Sequence, residues 1–97
     1  MRIIARKMLK DFWKRYPDAQ SALQAWFHEA KEAVWKSSAD VKTHYASASV
    51  IDAGRVVFNI CSNKYRLVVR INYRRGIVYT RFIGTHSAYD KIDVRKI

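Results

Sequence analysis

The sequence predicts an α+β fold in which two N-terminal helices pack on one face of a small, mainly antiparallel sheet, with residues 1–97 as a single domain. Two periodicities carry that prediction. Apolar residues recur every three or four positions in the first third of the chain and every second position in the latter half. Composition supplies the third observation: 97 residues, 49% hydrophobic and 13% aromatic, are enough to close one core and too apolar to stay disordered.

Taken in order, Arg2-Ile3-Ile4-Ala5 is a β-prone opening that supplies one strand. Met8, Leu9, Phe12, Trp13 and Tyr16 then make the apolar stripe of an amphipathic helix, with Lys7, Lys10, Asp11, Lys14 and Arg15 opposite. Pro17 stops it near Tyr16, because the residue before a proline is pushed out of helical geometry. Asp18 offers an N-cap to a second helix, whose buried stripe is Leu23, Trp26, Phe27, Ala30, Ala33 and Val34. These aromatics read as core against a sheet. His28, at the margin of the stripe, reads as a boundary residue, since no second ligand faces it at helical spacing.

Between Lys36 and Ser49 the periodicity breaks down and the chain reads as a loop, with Val41 and Tyr45 as anchors and His44 within it. Strands follow. Val50-Ile51-Asp52, a turn at Ala53-Gly54, and Val56 to Cys61 make a hairpin. After a turn at Ser62-Asn63-Lys64, the strand from Tyr65 to Tyr73 separates its faces: Tyr65, Leu67, Val69, Ile71 and Tyr73 toward the helices, Arg66, Val68, Arg70 and Asn72 away from them. Arg74-Arg75-Gly76 turns the chain, with Gly76 supplying a positive φ, and Ile77 to Ile83 runs back beside the previous strand.

Charge narrows the class of partner. The net charge is +11, and it is uneven: residues 1–54 carry nine Lys/Arg against six Asp/Glu, residues 55–97 ten against two. A cation excess concentrated on the strand half points to a polyanion, most often nucleic acid, whereas a merely solubilising surface interleaves both signs. The lone Cys61 excludes a disulfide framework and fits a reducing cytosol, where an apolar setting makes it an inert thiol. No apolar run reaches membrane-spanning length and no secretory signal opens the chain, so a cytoplasmic protein with no membrane partner is expected.

Arg66, Arg70 and Arg81 are expected to form a cationic patch on the open sheet face, with Lys64 and Arg74-Arg75 at its rims and Asn72 among them. Guanidinium groups suit phosphate because their planar fork donates two parallel hydrogen bonds. His86 follows Gly84-Thr85 at a strand end, and Ser87-Ala88-Tyr89-Asp90 matches a capping box, so a short helix is expected to start at Ser87. A histidine just ahead of a helix favours the neutral ring, which accepts a proton, and Tyr89 lies three residues on. Scattered carboxylates, and the lack of a Walker loop or dinucleotide fingerprint, imply no metal and no cofactor. RNA cleavage by the ribose 2′-hydroxyl needs only a base, a proton for the leaving oxygen and positive charge on the phosphorane, and Arg66, His86 and Tyr89 supply that set.

Val57-Phe58-Asn59-Ile60, Asn63-Lys64-Tyr65-Arg66-Leu67 and the run Phe82-Ile83-Gly84-Thr85-His86-Ser87-Ala88-Tyr89-Asp90-Lys91-Ile92-Asp93 resemble the HigB-like toxins of bacterial toxin-antitoxin systems, a branch of the RelE superfamily of mRNA interferases. Tyr16-Pro17 is also family-like; the segment Lys36 to Ser49 carries no diagnostic match. The resemblance implies a RelE-like fold, cleavage of mRNA in the ribosomal A site, and neutralisation by a helix-turn-helix, HigA-like antitoxin. It implies that Arg66 acts on the scissile phosphate and that His86 stands near the superfamily's strand-end arginine or histidine. The superfamily's tyrosine is spaced differently from this corner in some branches, so Tyr89 rests chiefly on its place beside His86. Two other readings are a non-catalytic RNA- or ribosome-binding module on the same fold, and a domain that only docks an acidic protein.

Overall fold

A computed structural model describes residues 1–97. The chain runs β1 (Arg2–Ile4), α1 (Arg6–Arg15), a 3-10 turn (Pro17–Ala19), α2 (Gln20–Glu32) and α3 (Ser38–His44). It continues through β2 (Ser49–Val50), β3 (Arg55–Ile60), β4 (Tyr65–Asn72), β5 (Ile77–Thr85), α4 (His86–Tyr89) and a closing 3-10 turn (Val94–Lys96). The five strands form one sheet in the order β1-β5-β4-β3-β2, with only β1 and β5 parallel. The α+β architecture with a mainly antiparallel sheet is therefore as the sequence predicts. No helix is long and apolar enough to cross a membrane.

Alternation in β4 places the core. Leu67, Val69 and Ile71 are buried against Leu9 of α1 and Leu23, Trp26 and Ala30 of α2, joined by Val56, Phe58 and Ile60 of β3. Phe58 is the aromatic hub, with Tyr45, Trp26 and Trp35 at ring-centroid distances of 5.1, 5.4 and 6.2 Å. A Phe58→Ala variant is expected to lose about 3–5 kcal/mol of stability, the range for emptying an aromatic site in a packed core, read as a shifted urea midpoint at unchanged slope.

Four expectations are corrected. The segment Lys36–Ser49 is not all loop: α3 spans Ser38–His44, with Ser37 extended ahead of it and the Asp40 carboxylate reaching back to accept from the Lys36 N–H at 2.8 Å. Val41 is fully buried beneath it. Asp18 is not an N-cap, because Pro17–Ala19 forms a 3-10 turn and its carboxylate faces β4 instead. α2 stops at Glu32, leaving Val34 75% exposed rather than in the stripe. The Met1 amino group bonds the Ala30, Lys31 and Ala33 carbonyls at 3.1, 2.9 and 2.8 Å, satisfying the acceptors that the helix end leaves open. The last helix starts at His86 with Thr85 as its cap, the hydroxyl accepting from the Ala88 N–H at 3.1 Å, one turn position earlier than the capping box at Ser87 suggests.

The second sheet face is not fully open either. Val57 and Val68 point away from the helices yet are buried. Phe82 lies opposite Val68, the Tyr89 ring sits 6.5 Å from Phe82, and the Ile97 carbonyl accepts from Arg55 Nε at 2.8 Å. Phe82 and Tyr89 thus add a small apolar layer to this face.

Candidate functional site

The β3–β4 turn builds the site from below. Cys61, Ser62 and Asn63 all take positive φ, 53°, 50° and 81°, a left-handed run that asparagine accepts readily and the other two do not. This strained turn is closed by the Lys64 N–H on the Cys61 carbonyl at 3.1 Å. It aims the Asn63 carbonyl at Arg66, whose Nη1 donates to it at 2.8 Å and so fixes the guanidinium along the strand edge. Strain held by surrounding structure is a mark of functional segments.

Opposite Arg66 stands Gly84, where a Cβ would lie 2.5 Å from Phe82 Cζ. Glycine lets the Phe82 ring lie along the strand beside the arginine. Two residues on, the His86 N–H donates to the Lys64 carbonyl at 3.2 Å, which locks the start of α4 against the β3–β4 turn. His86 Nδ1 is 3.9 Å from Asp90 Oδ2, across one turn of α4. The pairing thereby gathers Lys64, Arg66, His86 and Tyr89 at one end of β4 and β5. His86 is exposed, while Arg66 and Tyr89 are half-buried.

The remaining candidates do not join them. Arg70 and Asn72 lie toward the other end of β4, roughly 13 and 20 Å from Arg66 at about 3.3 Å per residue, and Arg74 and Arg75 lie in the turn beyond it. Asn72 is occupied in its turn, its Oδ1 accepting from the Arg75 N–H at 3.0 Å. Arg70 and Arg74 line a separate hollow of about 480 Å³ with Tyr79. Arg81 is the extra residue of a β-bulge, where Val68 pairs with Phe82 and Val69 with Thr80, and is exposed between the two ends. His44 stacks on Tyr45 at 4.4 Å, away from these groups.

Beside His86 opens a cleft of about 520 Å³, lined by Arg15, Tyr16, Pro17, Asp18, Lys64, Tyr65, Thr85, His86 and Ser87. The helical contribution, Arg15 to Asp18, is absent from the sequence-level site. Its signal is a basic-aromatic-proline run at a helix end, which reads equally well as a simple helix stop. Asp18 accepts from Lys64 Nζ and, at 2.6 Å, from the Tyr65 hydroxyl. The Lys64 hydrogen bond, then that of Tyr65, holds the Asp18 carboxyl below the usual carboxylate range. Asp18 in turn raises both Lys64 and Tyr65.

At the sheet's other margin, the Arg55 and Gly54 N–H groups and the Arg55 guanidinium draw Asp52 down to about 2. Both carboxylates are lowered on folding, so their contribution to stability is complete above the unfolded value of about 3.9 and is lost as pH falls toward the folded values. Thermal melts should show the protein weakening between pH 4 and about pH 2, and Asp52→Asn should flatten that decline.

A family model described as HigB toxin, RelE-like toxic component of a toxin-antitoxin system, matches residues 19–92. The chain belongs to the HigB toxin family. It is 28% identical over 93 residues to the mRNA interferase toxin HigB of Escherichia coli K12, covering 93% of this chain and 88% of that protein. The mRNA interferase HigB proteins of Escherichia coli O157:H7 and Shigella flexneri match with the same identity and coverage. The two helices on a mainly antiparallel sheet are thus the RelE-like fold of this toxin family, and the matched span takes in β3, β4, β5 and α4, the elements that hold the cluster around Arg66.

Proposed function

We propose that this HigB family toxin is an mRNA endoribonuclease that directs a ribose 2′-hydroxyl at the adjoining phosphate of a message held in the ribosomal A site. The observation that supports this most is the convergence of Arg66, His86, Tyr89 and Lys64 at one end of the sheet, on the half of the chain that carries ten Lys/Arg against two Asp/Glu. The similarity to proteins named mRNA interferase supports the same reading.

In this reaction a base takes the 2′ proton, the 2′ oxygen bonds to phosphorus, the P–O5′ bond breaks and the departing O5′ takes a proton. The products are a 2′,3′-cyclic phosphate and a 5′-hydroxyl. No protein nucleophile and no metal ion enters the scheme. His86 serves as the general base or acid, Arg66 stabilises the charge on the phosphorane, and Tyr89 orients the substrate. Lys64 and Arg81 hold the adjoining backbone, while Arg70, Arg74 and Arg75 contact RNA farther away; Asn72 shapes their turn. The toxin works in the cytoplasm with the ribosome, and its cognate antitoxin is a helix-turn-helix, HigA-like protein.

Induction followed by primer extension tests this reading. New 5′ ends should appear inside a translated message and vanish when its start codon is removed. Growth arrest without new ends would replace cleavage by simple binding.

A further inference from the structure

The cleft between the helix-hairpin tip and His86 has features that phosphate binding alone does not use. We propose that it holds the nucleobase of a nucleotide flanking the scissile phosphate, stacked on Tyr16 and read by Asp18, and that it favours a base with an exocyclic amino group over uracil. This inference rests on the endoribonuclease reading and adds a specificity site to it.

Three observations carry it. The cleft shares Lys64 and His86 with the cluster already described, so a nucleotide whose phosphate lies there has its neighbour's base within reach. Its aromatic wall is pre-set: Tyr16 stacks on Phe12 at 4.6 Å and 23°, and leans on Tyr65 at 5.5 Å. A ring already held in place loses little entropy when a base stacks on it.

The third observation is Asp18 itself. A carboxylate repels a phosphate, yet this one sits in the cation-rich cleft with its side chain 49% exposed. Tyr65 occupies one lone pair on Oδ1 and Lys64 one on Oδ2, and each oxygen retains another acceptor site. An acceptor-only group rewards amino donors, as on cytosine, adenine or guanine, and is opposed by the carbonyls that flank the single N–H of uracil. Lys64 gives one of its three donors to Asp18 and keeps the others for the adjoining phosphate.

Mapping of 5′ ends across many messages, after induction of the full-length toxin and its variants, tests the proposal. Wild-type toxin should show uridine depleted at one position beside the cut. Asp18→Asn, whose amide both donates and accepts, should raise uridine there about fivefold or more, the lower end of what one base-edge contact discriminates. Tyr65→Phe, which keeps the carboxylate and removes a neighbour, should preserve the preference. Tyr16→Ala should slow single-turnover cleavage about tenfold while Tyr16→Phe retains it.

A uniform loss in Asp18→Asn with unchanged base frequencies would make Asp18 a structural prop and overturn the proposal. Should that variant fail to fold, equal rates for Tyr16→Ala and wild type would overturn it equally. Absence of new ends with wild-type toxin would overturn the endoribonuclease reading and the subsite with it. Cleavage with no base preference would sink the subsite alone.

Discussion

Replacing Arg66 with alanine is expected to lower cleavage of translated mRNA by about 100- to 1000-fold, the usual loss when one preorganised donor to a developing charge is removed. Arg66 is the cation whose guanidinium the strained β3–β4 turn fixes, through the Asn63 carbonyl at 2.8 Å. Its surroundings are half-buried, which strengthens its field on a phosphorane relative to a fully solvated arginine. Arg66→Lys should recover little of the activity, because an ammonium cannot present the planar fork. The fold should persist, since Arg66 makes its hydrogen bonds only to nearby carbonyls and lies outside the core. Circular dichroism and antitoxin binding by the variant check that point.

Removing the imidazole is the second large effect. His86→Ala is expected to cost about 100- to 10,000-fold in the same assay, the range for a positioned acid or base. The backbone N–H of residue 86 still donates to Lys64 and Thr85 still caps α4, so the loss reads the ring alone. Asp90 lies 3.9 Å from Nδ1, beyond hydrogen-bond distance, so its removal should cost much less than removal of the ring. Single-turnover rates separate the two effects, because His86→Ala should show the full loss while Asp90→Asn should stay within about tenfold of wild type.

Local rules carried much of the fold. The split faces of β4, the turn at Gly76 with φ +68° and the helix stop at Pro17 each follow from short-range sterics and two- or 3.6-residue periodicity. What escaped depends on contacts far apart in sequence. Asp18 meets Lys64 and Tyr65 across 46 and 47 residues, so its capping-residue chemistry was legible and its actual partners were not. α3 has one fully buried residue, Val41, too few for an apolar period, although Ser37-Ser38-Ala39-Asp40 carries a capping signal.

The candidate site divides along the same line. Arg66 and His86 were legible as a strand arginine and a strand-end corner. Their separation from Arg70, Arg74 and Arg75 was not, because only the register and the bulge at Arg81 decide which cations share an end of the sheet. The burial of Val57 and Val68 on the face away from the helices likewise depends on pairing across the sheet, which sets Phe82 opposite Val68.

That separation offers the most direct test. Single-turnover cleavage of an mRNA on programmed ribosomes should be compared for wild type, Arg66→Ala and Arg70→Ala, two arginines four residues apart on one face of β4. The loss should reach at least about 100-fold for Arg66→Ala. It should stay within about tenfold for Arg70→Ala, the loss of a remote backbone contact. Equal losses, or a greater one at Arg70, would contradict a cleavage site at the Arg66–His86 end of the sheet.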